Sequence, residues 1–128
     1  MAYYFNKTVA SGFDETIARV TEELKKEGFG ILSDIDVKAA LKKKLDVDFR
    51  KYRILGACAP PYAYKALQSE DKIGTMLPCN VVVQDLDNGK VEVAAVDPVS
   101  SMQAVANADL REIALEIQGK LRKVINNI

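Results

Sequence analysis

Cys58 and Cys79 carry most of the chemical potential of a 128-residue chain that contains no histidine. The missing imidazole removes the commonest general base and the commonest metal ligand. Two thiols can undergo reversible oxidation, carry sulfur, or hold a soft metal such as Cu(I) as thiolates. Their spacing matches no metal motif, and two thiols fall short of the four ligands of a structural zinc. The opposing reading is plainer: cysteine is among the most buried residue types and often serves as a small apolar filler.

Sequence position brings the two thiols together. Tyr52 to Cys58 reads as one strand and the Val-rich run from Cys79 to Leu86 as the next. If these strands pair antiparallel, both cysteines lie at the same rim of a sheet. Pro60 and Pro61 suit the first turn of a following helix, where a missing N–H costs little. A helix N-terminus also favours a nearby thiolate. Asn80 and Asp97, at the ends of adjacent strands, could add hydrogen bonds there. Tyr62 and Tyr64 flank the helix start; two apart, they point to different faces, so at most one belongs to the core. The candidate ligand-binding set is therefore Cys58, Pro60, Tyr64, Cys79, Asn80 and Asp97. No catalytic residue, metal or cofactor is assigned.

The elements that must position this rim follow from periodicity. Residues 2–10 alternate, with Tyr3, Phe5 and Val9 on one side and Tyr4, Asn6 and Thr8 on the other. Ser11 to Asp14 reads as a capping-box-like helix start, and Phe13, Ile17, Val20 and Leu24 form a helical stripe. Gly28 and Gly30 end that helix and return the chain to an extended segment, Phe29 to about Ile35. A short helix follows from Asp36, with Val37, Ala40 and Leu41 inward and Lys38, Lys42 and Lys43 outward. Asp87, Asn88 and Gly89 signal a tight hairpin between the fourth strand and a fifth, Val91 to Val96. After Asp97 and Pro98 the pattern predicts a loop, then a long helix from about Asn107 with Leu110, Ile113, Ile117, Leu121 and Val124 on its apolar face. The order β-α-β-(α)-β-(α)-β-β-α predicts an α+β fold. It has two layers: a largely antiparallel five-stranded sheet with two long helices on one face. A Rossmann-type sheet fits less well, because the hairpin forces antiparallel pairing and no Gly-rich phosphate loop is present.

Composition narrows the function classes. The chain is 48% apolar and 28% charged, the balance of an ordinary globular domain, and residues 1–128 suit one domain. Lys plus Arg and Asp plus Glu each number 18, so no global field draws in nucleic acid or anionic lipid. Aromatics are 7% and tryptophan is absent, which leaves few stacking platforms for single strands. Lys38, Lys42, Lys43, Lys44, Arg50, Lys51 and Arg53 do concentrate positive charge against Asp46 and Asp48 and could contact phosphates. Net neutrality weighs against nucleic acid as a partner. Asp34, Asp36, Asp46 and Asp48 form two Asp-x-Asp pairs, but neither continues into a calcium loop. No apolar run is long enough to span a membrane, the N-terminus lacks signal-peptide order, and the two cysteines suit a reducing cytoplasm.

Several segments carry a family resemblance. They are Ile35-Asp36-Val37, Leu41 to Leu45, Val47 to Cys58 with Pro60, Leu77 to Val83, and Val96-Asp97-Pro98. Over nearly its whole length the chain resembles the bacterial and archaeal domain-of-unknown-function family 302. The resemblance implies a small α+β domain, often paired as a homodimer, with no agreed activity. Ala59 stands where many members carry Asn, and Tyr64 where a His often sits, so metal or proton chemistry that relied on those groups would be lost here.

Three functions remain in view. The first is a homodimeric small-ligand-binding module with its site at the Cys58/Cys79 end of the sheet. The second is a thiol-based redox, sulfur-carrier or soft-metal-handling protein using both cysteines. The third is an interaction or regulatory subunit without a chemical site, whose dimer surface would include Tyr3, Tyr4 and Phe5. Non-enzymatic function is favoured over catalysis.

Overall fold

The computed structural model describes residues 2–128. The alternating segments become five strands: β1 (Tyr4–Val9), β2 (Gly30–Asp36), β3 (Tyr52–Cys58), β4 (Cys79–Asp85) and β5 (Val91–Val96). They form one sheet in the order β1-β5-β4-β3-β2, and every neighbouring pair is antiparallel. The two long helices, α1 (Phe13–Lys26) and α5 (Ala108–Asn126), cover one face of it. Three shorter helices fill the connections: α2 (Val37–Leu45), α3 (Pro60–Ser69) and α4 (Pro98–Ser101), with a single 3-10 turn at Ile73–Met76. The expected α+β, two-layer antiparallel architecture is what forms.

Burial follows the period of two along the strands. Val81 and Val83 of β4 and Val93 and Ala95 of β5 are fully buried, as is Leu55 of β3. Against them sit Val20 and Leu24 of α1 and Leu121 and Val124 of α5, the centres of the two helical stripes. Val82, Gln84, Glu92 and Ala94 point to the other face, which no helix stripe covers.

Local chemistry sets the ends of the elements, with three departures from expectation. Ser11 does not cap α1. Gly12 occupies the N-cap position in extended backbone with no side-chain cap, and Thr16 Oγ1 instead donates to Gly12 O at 2.7 Å. Ser11 lies one residue too early for its hydroxyl to reach the first turn. Second, the segment after Asp97 is not a plain loop. The Asp97 carboxylate accepts from Val99 N at 3.0 Å and starts α4, with Pro98 in its first turn. Asp36 and Asn107 cap α2 and α5 in the same way. Gly28, at φ 85°, ends α1, and its N–H donates to Lys25 O. At the hairpin, Asp87 and Gly89 both take positive φ, and Leu86 N donates to Lys90 O to close the turn. Strand β4 thus ends at Asp85, one residue before the expected Leu86.

Two glycines test the packing in opposite directions. A Cβ at Gly56 of β3 would collide with the Ser33 side chain and lie 2.7 Å from Pro78 Cγ, whereas one at Gly119 of α5 would meet nothing. In chemical denaturation, Gly56→Ala is expected to cost about 1–3 kcal/mol through overpacking. Gly119→Ala should instead add roughly 0.5–1 kcal/mol of helix stability. A neutral Gly56→Ala would show that strands β2 and β3 do not approach as closely as described.

Candidate functional site

Strand register brings the two cysteines to one rim. Ala57 of β3 stands opposite Cys79 of β4, so Cys58 is the next residue along. Both cysteines border an apolar cavity between the end of the sheet, α3, α4 and α5. Phe29, Ala57 and Ala59 form its floor. Tyr62, Ala63 and Ala66 come from α3, Pro98 and Met102 from α4 and its end, and Ile113, Ala114 and Ile117 from α5. Its volume is about 40 Å³. That is room for a few heavy atoms, against the ~150 Å³ of an apolar cavity that admits benzene.

The lining contains no charged group and no amide. Among the described residues, every buried side-chain nitrogen or oxygen has a hydrogen-bond partner, so none is left aimed into the cavity. What the cavity offers is hydrocarbon and sulfur. Cys79 is buried and Cys58 half-buried, and the two are not joined by a disulfide. Burial first, and then the neighbouring Cys58, push the Cys79 thiol from its ordinary 9.0 up to about 11. At neutral pH Cys79 therefore stays protonated and is no nucleophile.

Of the six candidate residues, Pro60, Tyr64, Asn80 and Asp97 are absent from the lining; Cys79 lies on the covered face beside Ala57, and Cys58 borders the cavity at the strand end. Pro60 and Tyr64 are exposed, Tyr64 to 65%, on the outer side of α3. Asn80 projects from the opposite face of the sheet, where it borders a shallow hollow with Tyr4 and Val82. Asp97 is buried, but its carboxylate is occupied: Val99 N and Gln118 Nε2 each donate to Oδ1 at 3.0 Å. It ties α4 to α5 and is a structural cap. The half-buried Tyr62 does line the cavity, and it also lines a polar cleft outside with Lys65, Glu112 and Glu116. The adjacent Glu116 carboxylate holds the Tyr62 phenol above its ordinary range.

Sequence reasoning missed Met102. It lies just past α4, in a stretch read as loop; the Asp97-Pro98 pair, a cap followed by a first-turn proline, was the signal for the helix that places it.

The basic cluster, by contrast, is largely spent within the chain. Lys42 pairs with Asp46 at 3.0 Å and reaches Asp48 at 3.5 Å. Lys38 Nζ donates to Phe49 O at 2.8 Å. Arg53 grips Asp34 through two hydrogen bonds, which hold that carboxyl below its usual range. Arg50 donates to Gln84 Oε1 and stacks over Phe49, 4.4 Å from the ring centroid. Among the described residues no group of three or more His, Cys, Asp or Glu could hold a metal ion, and no helix is long and apolar enough to cross a membrane.

These features define a class: a two-layer α+β domain with a sulfur-lined apolar cavity at one end of an antiparallel sheet. More narrowly, the chain belongs to the family described as Domain of unknown function DUF302, whose model matches residues 5–128. The crystal structure of an uncharacterized conserved protein DUF302 from Bacillus stearothermophilus has the same fold, with a TM-score of 0.91 and 31% sequence identity. The likeness covers 99% of this chain and 98% of that one. No curated protein matches the chain.

The raised thiol has a thermodynamic consequence. Between pH 9 and 11 the folded state holds the Cys79 proton and the unfolded state has largely lost it. Unfolding then releases a proton, so stability falls as pH rises through that window. Wild type should lose about 2 kcal/mol more than Cys79→Ala between those limits, most of what the ~2-unit shift carries. Parallel stability profiles for the two proteins would mean that the thiol titrates normally.

Proposed function

We propose that this chain acts as a single-domain, homodimeric binding module of the reducing cytoplasm. Its ligand site is the cavity at the Cys58/Cys79 end of the sheet. The observation that carries this reading is the lining itself: fifteen residues without a charged side chain around about 40 Å³. General acid–base catalysis needs a titratable group within hydrogen-bond reach of the reacting atom. The lining offers only two thiols and the Tyr62 phenol, and Cys79 is held protonated. Selective binding of something small and either apolar or soft is what such a lining does well. Two unpaired cysteines suit a reducing compartment.

Xenon, an apolar probe of a few ångströms, tests the site in solution. Xenon-induced amide shifts should cluster on Ala57 to Ala66 and Ile113 to Ile117, and Ala63→Leu should abolish them while the protein stays folded. Shifts confined to other surfaces, or none at all, would remove the cavity as a binding site.

The homodimer rests on the uncovered sheet face. Tyr4, Ile35, Ile54, Val82, Ala94 and Val96 make it apolar, and Tyr3 and Leu32 stand exposed at its margins. A polar row crosses one end: Arg50 donates to Gln84, Gln84 to Glu92, and Asn6 to Glu92. Strand spacing and rise make this five-stranded face roughly 24 Å by 20 Å. Side-chain relief and the flanking residues bring it toward the ~800 Å² per partner of a stable interface. Apolar centre and polar border are the anatomy of such an interface. Light scattering should find a dimer in wild type and a monomer in Tyr4→Lys. A dimer that survives the substitution would place the interface elsewhere.

A further inference from the structure

Helix α5 sorts its charges to opposite sides. Asp109, Glu112 and Glu116 line the cleft it shares with α3, whereas Arg111 lines a separate hollow on the α4 side. Residues one and two apart on a helix do not face each other, so neither Asp109 nor Glu112 neutralises Arg111. The positions that do adjoin it along the helix hold Asn107, Ala108, Ala114 and Leu115, none of them acidic. Among the described residues no carboxylate lies within ion-pair distance of its guanidinium.

The hollow has a volume of about 340 Å³, within the range of small-ligand pockets. Val99 of α4 and Met102 and Val105 of the segment after it give it an apolar wall over the buried Leu110. All three are only half-buried, so apolar surface is left for a ligand. Arg111 is the one ionisable residue of the lining. Asn107 is already committed: its Oδ1 accepts from Asp109 N at 3.1 Å and its Nδ2 donates to Ser69 O at 3.0 Å. The hollow thus joins hydrocarbon to a single cation without a partner.

We propose that this hollow binds a small aliphatic monocarboxylate, its carboxylate on Arg111 and its hydrocarbon chain against Val99, Met102 and Val105. It is a second site, touching the sulfur-lined cavity only through Met102 and Ala114, and it does not depend on that cavity. A guanidinium presents parallel N–H donors that match both oxygens of a carboxylate. An amine would add a second cation beside Arg111, and an alcohol would leave the first one unneutralised. The apolar wall favours an anion with a chain over an inorganic one, which gains nothing from it. Methionine, unbranched and adaptable, suits a wall that must follow a flexible chain.

The test is an NMR titration of the full chain with sodium hexanoate at constant ionic strength. Saturable amide shifts should centre on Met102 to Ala114. Hexanoate should bind at least about fourfold more tightly than butyrate, which has two fewer methylenes to bury. Arg111→Gln should weaken hexanoate binding by about tenfold or more, the worth of a hydrogen bond to a charged group. Arg111 is exposed and glutamine is a good helix former, so this variant folds. Ala63→Leu, which fills the sulfur-lined cavity, should leave hexanoate binding unchanged. The proposal is overturned by a lack of saturable shifts, by undiminished binding to Arg111→Gln, or by butyrate, phosphate or hexan-1-ol binding as tightly as hexanoate. Loss of binding in Ala63→Leu would assign hexanoate to the other cavity and overturn it as well.

Discussion

The sheet is buried on one face only, and because successive side chains alternate across it, that asymmetry locks the register of every strand. Sliding β4 by one residue would turn Val81 and Val83 outward and bring Val82 and Gln84 under the helices. The stripes of α1 and α5 leave no alternative, since Val20, Leu24, Leu121 and Val124 need apolar partners. With β4 fixed against β3 and β5, Cys79 must lie opposite Ala57 on the covered side. The sulfur-lined cavity is thus a by-product of the same constraint that builds the core. So is the apolar open face, which takes the residues of the opposite phase.

A recurrent theme is the diversion of polar groups from chemistry into structure. Asp36, Asp97 and Asn107 each satisfy a helix N-terminus. Asp34 serves Arg53, and Asp46 and Asp48 serve Lys42. Exposed pairs of this kind contribute little stability. Their effect here is to neutralise a stretch that would otherwise present a basic patch. Once these groups are committed, the cavity at the rim is lined by hydrocarbon, sulfur and the Tyr62 phenol, with no charged side chain.

Burial also divides the two thiols. Cys79 sits among core side chains, where desolvation keeps it protonated, while the half-buried Cys58 stands at the boundary between β3 and α3. Tyr62 lines both the cavity and the outer cleft, with its hydroxyl toward Glu116.

Local patterns decided much of this protein by themselves. The period-two runs at 52–58 and 91–96 became strands with the expected limits, because alternation reports directly which side chains face the core. The helical stripes and the Asp87 to Gly89 turn were legible for the same reason: each depends on neighbours within a few residues. Both cysteines could be placed at one rim, since antiparallel pairing of adjacent strands needs only the order of elements. Tertiary structure decided what lines that rim. Pro60 and Tyr64 turned outward with the rotation of α3, Asn80 fell on the other face by the parity of β4, and Asp97 was taken as a cap. Met102 arrived from a segment more than twenty residues downstream of Cys79, carried there by α4. Contacts between distant segments depend on how the helices settle on the sheet, and a single sequence records the elements but not that docking.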